Sequence, residues 1–269
     1  MELKKKYEQL KEYLIALGSV AVAFSGGVDS AFLLKAAKEA LGDKAAAVTV
    51  HSCFMPHNER KEAQEFCRLE QIRQIICEVN PLSVDGIADN PPNRCYLCKK
   101  EIFKTMQEAA AQHNFFSVVE GSNLDDNDDY RPGLRAIREL GIKSPLLEVG
   151  FSKQEIREMS KRLKISTWNK PSFACLASRF TYGDHLTEEN LKRVEQAEAV
   201  LAGLAFQQFR VRSHGDMARV EVPPEDFLNL LKYRKQVYKA FQLLGFAYVS
   251  MDLEGYRTGS MNEVLGKMR

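Results

Sequence analysis

Nowhere in this chain of 269 residues do apolar side chains run uninterrupted toward the roughly eighteen that a membrane-spanning helix needs. Charge of one sign is also scarce. Lys and Arg number 38 against 36 Asp and Glu, leaving +2, too little to argue for a nucleic-acid or membrane partner, so any anion site has to be local. The opening Met1-Glu2-Leu3-Lys4-Lys5-Lys6-Tyr7 has lysines but no apolar core behind them, and does not read as a signal peptide. Without an export signal, the six cysteines (Cys53, Cys67, Cys77, Cys95, Cys98, Cys175) are expected as reduced thiols in the cytoplasm, serving chemistry or packing and not disulfides. Internal repeats and low-complexity segments are absent. What remains is a composition of 45% hydrophobic and 28% charged residues, ordinary for a soluble globular protein. The length suits one large domain or a domain and a half.

Apolar residues at helical spacing (Leu3, Tyr7, Leu10, Tyr13, Leu14, Leu17) fill residues 2–17. Strand signals follow at about 20–24, 45–50, 72–79 and 115–120, separated by helical segments at about 29–41, 57–69 and 98–113. Such alternation predicts an α/β fold with a parallel sheet covered on both faces. Ser152 with Glu155 predicts a capped helix over 152–163. Composition changes near Phe180. A helix at about 187–203, strands at 206–212 and 217–222, helical sequence after Pro223-Pro224 and a strand at 246–250 predict a small α+β module. The expected division is therefore 1–180 and 181–269.

The most informative segment is Ser25-Gly26-Gly27-Val28-Asp29-Ser30, between the apolar run 20–24 and the helical stretch from Ala31. Strand, glycine turn and helix N-terminus in that order form an anion cradle, because backbone N–H groups converge and the helix dipole adds positive charge. It is not a Walker A loop, since the Gly-Lys-Ser/Thr ending is missing. SGGxDS after a hydrophobic strand resembles the PP-loop of the ATP pyrophosphatases, which implies binding of ATP through Ser25, Gly26, Gly27, Asp29 and Ser30 and release of pyrophosphate. A carboxylate inside such a cradle acts through Mg²⁺; the alternative for Asp29 is capping the following helix.

Further constellations follow. Residues 123–129 hold four aspartates and two asparagines just past a strand end, beside Gly121 and Arg131, and read either as a metal-holding or as a solvated loop. The guanidinium of Arg131 suits phosphate. Cys95-Tyr96-Leu97-Cys98 is a CxxC entering a helix at Lys99. No second CxxC exists to complete a Cys₄ zinc site, and the motif order differs from a thioredoxin-like redox pair. Cys175 lies in a Pro-broken loop with Ser178 and Arg179, where a nearby guanidinium favours the thiolate. Cys95, Cys98 and Cys175 together would suit an iron–sulfur cluster with one iron open. Cys53, Cys67 and Cys77 read as buried packing residues, and His51 and His57 as structural. Arg210 and Arg212 alternate along a strand and share one face, followed by His214 and Asp216, a phosphate-binding pattern or a pair of exposed strand charges. Asp252 and Arg257 add a candidate metal ligand and anion contact.

Taken in order, SGGVDS, RCYLCKK, DDNDDYRPGLRA, NKPSFACLASRFTYG, RVRSHGDMARVEVP and MDLEGYRTGSMNE resemble the LarE family over about residues 10–263. SGGVDS alone indicates only the PP-loop superfamily; the later motifs narrow the resemblance. It implies an ATP-dependent sulfur transferase of nickel-pincer nucleotide biosynthesis, the cofactor of lactate racemase. ATP would adenylate a carboxylate on a nicotinate-derived pyridinium mononucleotide, and sulfur would replace the activated oxygen. Arg210, Arg212, Ser178 and Arg257 would hold the substrate phosphate, and Asp29 and Asp252 Mg²⁺. The resemblance also implies a hexameric homo-oligomer built through the C-terminal module. One form of the family sacrifices the sulfur of a single cysteine; the other has three. Cys95, Cys98 and Cys175 match the second, which implies a [4Fe–4S] cluster that delivers sulfide, with Cys175 sacrifice as the alternative.

Competing readings are a tRNA-thiolating PP-loop enzyme, disfavoured by the small net charge and single CxxC, and a nucleotide- or metal-sensing module without turnover. A glutamine-dependent amidotransferase would need a glutaminase module, which is not visible.

Overall fold

The computed structural model describes residues 2–126, 132–171, 174–257 and 259–262. The chain packs as two compact units: residues 1–84 with 93–173, and Asp85–Pro92 with residues 174–269. The first is an α/β unit, the second a mixed one. The short turn Leu176–Arg179 goes with the second unit, where the expected boundary lay at Phe180, because the Arg179 side chain is bound to that unit's first long helix.

The first unit runs α1 (Glu2–Ala16), β1 (Val20–Ala23), α2 (Val28–Leu41), β2 (Ala45–His51), α3 (His57–Leu69), β3 (Arg73–Glu78), α4 (Arg94–Gln112), β4 (Val118–Val119), α5 (Pro132–Glu139), α6 (Pro145–Val149) and α7 (Lys153–Arg162). The four strands are parallel, in the order β3-β2-β1-β4. Alternation along β1 and β2 divides the core. Val20, Val22, Ala45 and Ala47 face a cluster with Tyr7 and Leu10 of α1, Phe32 of α2 and Phe66 of α3. Ala21, Ala46, Val48 and Val50 face Phe103 and Met106 of α4 and Ile137 of α5. Small residues on both faces of β1 and β2 let helices approach closely from either side, which is why these strands read as continuous apolar runs.

Strand order reverses between β1 and β4. Chain order runs outward from β1 through β2 to β3, whereas β4 lies on the other side. In a parallel sheet such a switch opens a crevice at the carboxyl ends of the two neighbouring strands. Residues 24–30 leave β1 there and residues 120–126 leave β4. Topology thus places the glycine turn and the acidic segment side by side.

In the second unit α8 (Glu188–Gly203) precedes β5 (Arg210–His214), β6 (Met217–Glu221), α9 (Phe227–Lys232), α10 (Arg234–Leu243) and β7 (Tyr248–Met251). β5 and β6 are antiparallel, and β6 and β7 parallel. Asn90, fully buried, donates to the carbonyls of Phe180 and Thr181, which ties residues 85–92 into this unit. Capping boxes start α7 (Ser152 and Glu155) and α8 (Thr187 and Asn190). Among the described residues no helix is long and apolar enough to cross a membrane.

Candidate active site

The glycine turn has the backbone its sequence demands. Gly26 has φ of +76°, a conformation that costs most residues but not glycine. Gly27 then serves as N-cap of α2 and has no side chain to satisfy the first-turn N–H groups, so they remain available to an anion. Ser30 Oγ donates to the Gly27 carbonyl at 3.2 Å and meets Ser25 Oγ at 3.2 Å, bracing the turn from inside. Gly121 closes it from the β4 side. A Cβ there would lie 3.1 Å from Ser30 N and 3.2 Å from Asp29 C and Cβ, two backbone atoms and the root of a side chain, none of which can swing away. We expect Gly121→Ala to weaken nucleotide binding about tenfold and cost about 1–2 kcal/mol of stability, checked by calorimetric titration with ATP and by urea unfolding.

Asp29 does not cap α2. Its Oδ2 accepts from Lys153 Nζ, at the first residue of α7, and its Oδ1 is buried without a hydrogen-bond partner. Burial raises the Asp29 carboxyl above its ordinary range, Lys153 pulls it back, and Asp126 pushes it up again. A hard, orphaned oxygen beside an anion cradle fits a divalent cation. A second lysine reaches the turn from the far end of the unit: Lys170 Nζ donates to Gly26 O (3.2 Å), Glu59 Oε2 (2.7 Å) and Glu62 Oε2 (2.7 Å). Arg157 of α7 holds this segment by donating to the carbonyls of Trp168 and Lys170, both at 2.9 Å. Sequence reading missed Lys153 and Lys170, because nothing local marks a lysine that crosses more than a hundred residues of chain to reach its partner.

The acidic segment is partly described. Asn123 N donates to Asp126 Oδ2, Asp125 N to Asn123 Oδ1, and Lys153 N to Asp125 Oδ2. These groups brace the loop and the start of α7. Among the described residues no group of three or more His, Cys, Asp or Glu side chains is placed to hold a metal ion. Arg131 and residues 127–130 lie outside the described residues.

The cysteines separate by environment. Cys67 and Cys77 are buried; burial pushes the Cys67 thiol up to about 12 and raises Cys77, as packing roles require. Cys53, expected as buried, is half-exposed. Cys95 and Cys98 are half-exposed and Cys175 exposed. The CxxC was expected ahead of a helix starting at Lys99. Instead α4 begins at Arg94, immediately after its cap Asn93, so both thiols stand on the helix's first turns. Arg94 is buried, with Nη2 3.7 Å from Cys95 Sγ.

Around Cys175 the expected thiol–guanidinium contact is replaced by a brace on the backbone. Arg179, fully buried, spends Nε and Nη2 on a bidentate pair with Glu198 of α8 (2.9 and 3.0 Å). Its Nη1 goes to the carbonyls of Ala174 (2.8 Å) and Cys175 (3.2 Å) and to Ser178 Oγ. Ser178 Oγ also donates to the Cys175 carbonyl, so the turn presenting the thiol is fixed from below. We expect Arg179→Met to cost about 3–5 kcal/mol, since it strands a buried Glu198 carboxylate. Urea unfolding monitored by far-ultraviolet circular dichroism checks this.

Arg210 and Arg212 are buried, not exposed strand charges. Arg212 forms a bidentate pair with Glu221 (3.0 and 2.8 Å) and donates to Ser178 O (2.9 Å) and Ser260 Oγ (2.9 Å). Arg210 stacks over the Tyr256 ring at 5.2 Å; burial, and then nearby Arg179, pull its guanidinium down to about 10, so it stays charged at neutral pH. Arg257 donates to Asp252 Oδ2 (3.2 Å). Asp252, expected to hold Mg²⁺, is engaged by Arg257, by Arg219 at 3.5 Å and by the Glu254 N–H; against a burial penalty these hold its carboxyl below the usual range. At His214 burial, then Arg219, lower the pKa, and Nδ1 meets Thr181 Oγ1. The unit thus gathers Ser178, Arg210, Arg212 and Arg257 near Arg179 and Arg219. Glu198 and Glu221, which order this cluster, were not found from sequence, because cross-strand and helix–strand partners carry no local signature.

A strand, a capless glycine turn and a helix at the switch point of a parallel sheet define a nucleotide-binding α/β protein, and residues 1–130 match the PP-loop domain family. Over nearly its whole length the chain is also similar to three proteins. It is 40% identical over 267 residues to an uncharacterised protein of Synechocystis sp., covering 98% of this chain and 100% of that one. It is 37% identical over 266 residues to the pyridinium-3,5-bisthiocarboxylic acid mononucleotide synthase of Lactiplantibacillus plantarum, covering 98% and 96%. An uncharacterised protein of Methanocaldococcus jannaschii is 29% identical over 259 residues, covering 95% and 94%. The chain belongs to the LarE family, that of the Lactiplantibacillus plantarum synthase.

Proposed function

We propose that this protein is an ATP-dependent sulfur transferase that converts carboxylates of a nicotinate-derived pyridinium mononucleotide into thiocarboxylates. The observation that supports the ATP half is the orphaned, buried Asp29 Oδ1 beside an uncapped α2 N-terminus. The substrate half rests on the name of the Lactiplantibacillus plantarum relative.

A carboxylate oxygen is a poor leaving group until it is adenylated. In the proposed reaction it attacks the α-phosphorus of ATP, the bond from that phosphorus to the bridging oxygen breaks, and pyrophosphate departs. The first-turn N–H groups of α2 and the Ser25 and Ser30 hydroxyls hold the departing diphosphate. Asp29 would carry Mg²⁺, which neutralises charge developing on the phosphates. Sulfur then attacks the acyl carbon, and the bond to AMP breaks. Ser178, Arg210, Arg212 and Arg257 hold the nucleotide phosphate of the substrate away from the reacting carboxylate. We assign the second unit this substrate-binding role, together with homo-oligomer formation.

Cys95, Cys98 and Cys175 are soft, accessible donors of the kind an iron–sulfur cluster requires, unlike Cys67 and Cys77. They would ligate a [4Fe–4S] cluster, which when bound supplies a sulfide. Sacrifice of the Cys175 sulfur is the second reading, favoured by its exposure on a braced turn. Heavy-oxygen labelling of the substrate carboxylate tests the activation step. Label recovered in AMP is the expected result; label recovered in phosphate from ADP-forming turnover would overturn it.

A further inference from the structure

The turn that opens α2 has two glycines in succession, and the peptide between them is its least restrained. Rotating that peptide by half a turn changes only ψ of Gly26 and φ of Gly27, and glycine tolerates either outcome. In the trans peptide found here the carbonyl and the N–H point opposite ways, so whatever holds the Gly26 carbonyl also aims the Gly27 N–H. Lys170 Nζ holds that carbonyl, at 3.2 Å. Its other two hydrogens go to Glu59 Oε2 and Glu62 Oε2, both at 2.7 Å, so the ammonium keeps none for a ligand. The Lys170 side chain is 12% exposed, and Arg157 fixes its backbone carbonyl. Beside the turn stands the Glu59 carboxylate, also 12% exposed, which burial raises in pKa against the pull of Lys170. A Cβ on Gly26 would meet Glu59 Oε2 at 3.7 Å, so this carboxylate adjoins the very peptide that is free to turn.

We propose that Lys170 is a positioning residue of the cradle: it locks the Gly26–Gly27 peptide with the carbonyl turned to the lysine and the N–H turned to the incoming anion. Without the ammonium, the Gly26 carbonyl would stand beside a bare carboxylate. Half a turn of the peptide would exchange that repulsion for a hydrogen bond from the Gly27 N–H to Glu59. The flipped turn loses one anion donor and aims a carbonyl oxygen at the diphosphate instead. An ion pair whose only task was to join α3 to the segment before Pro171 would need no contact with a backbone carbonyl. This one spends a third of its donors on the single peptide that two glycines leave free. Two carboxylates on one ammonium also hold the lysine in place when an anion arrives, as a brace requires. Lys170 acts through the peptide and does not touch the nucleotide. This assignment rests on the ATP-using function proposed above.

The test titrates the full-length protein calorimetrically with ATP and Mg²⁺ and, separately, with AMP, which lacks the diphosphate that the turn would hold. In Lys170→Met, affinity for ATP is expected to fall about ten- to a hundredfold, and affinity for AMP to change by less than about twofold. Adding Glu59→Gln removes the carboxylate that draws the N–H and supplies an amide donor for the Gly26 carbonyl. The double variant is therefore expected to bind ATP about three- to tenfold more tightly than Lys170→Met alone. Lys170→Gln, run beside them against a folding failure of the methionine variant, keeps a neutral donor and is expected to lose about two- to fivefold in ATP affinity, again sparing AMP. A lysine that only held the fold would weaken both nucleotides together, and a second substitution would add to the damage. Equal losses for ATP and AMP, unchanged ATP affinity, or no recovery in the double variant would overturn the assignment. A wild-type protein that binds no ATP would instead sink the proposed function itself, and the assignment with it.

Discussion

Asp29→Asn is expected to lower pyrophosphate formation by about two to three orders of magnitude while leaving the fold intact. The substitution preserves shape, and an amide oxygen can still accept from Lys153. What disappears is the negative charge that would hold Mg²⁺ against the diphosphate. Stability moves the other way, or hardly at all. Burial raises the Asp29 carboxyl despite Lys153, so the ionised form is held at a cost in the folded state. Replacing it with a neutral isostere relieves that cost, and the thermal midpoint should stay level or rise. Loss of activity without loss of stability marks a site residue; a parallel loss of both would make Asp29 a structural anchor. Stopped-time pyrophosphate assays and differential scanning calorimetry on the same preparation separate these outcomes.

Cys175→Ser should remove sulfur transfer altogether, by at least about three orders of magnitude, because a hydroxyl at ordinary pH neither ligates iron as a thiolate does nor donates sulfur. In the proposed scheme activation takes place at the cradle of the first unit, so ATP consumption in the presence of substrate should persist, now ending in hydrolysis of the activated carboxylate. The variant should fold normally, since the turn is held through the Cys175 carbonyl by Arg179 and Ser178, not through the thiol. Uncoupling is thus the diagnostic result: AMP without thiocarboxylate. Retained sulfur transfer would remove Cys175 from the proposed chemistry under both readings of the sulfur donor. Mass spectrometry of the product, beside an AMP assay, gives the answer.

How much of this was legible before the structure varies by the range of the interaction involved. The cradle was plain, because strand, glycines and helix are contiguous and their consequences local. The four parallel strands were plain too, since apolar runs alternate with amphipathic segments. The sequence places the start of α4 several residues too late: Pro91-Pro92 reads as a break, but the helix begins at Arg94, directly after its cap Asn93, lifting Cys95 and Cys98 from a loop onto helical turns. Arg179 was read as a partner of the thiol through proximity in sequence, whereas Glu198, nineteen residues on, claims two of its three nitrogens. Lys153 and Lys170 could not be assigned at all, since a lysine on a helix N-terminus or in a loop is normally solvated. Only the strand order, which sets β4 beside β1, brings the lysine after β4's loop to the carboxylate after β1. Local motifs survive translation into sequence patterns; partners fixed by topology do not.

The most direct test of the central claim incubates the purified protein anaerobically with ATP, Mg²⁺, a sulfur source and a nicotinate-derived pyridinium dicarboxylate mononucleotide, and measures AMP and product mass together. The expected result is one AMP and one pyrophosphate for each oxygen exchanged for sulfur in the product. ADP in place of AMP, or AMP formed with the substrate's carboxylates unaltered in the wild-type protein, would contradict it.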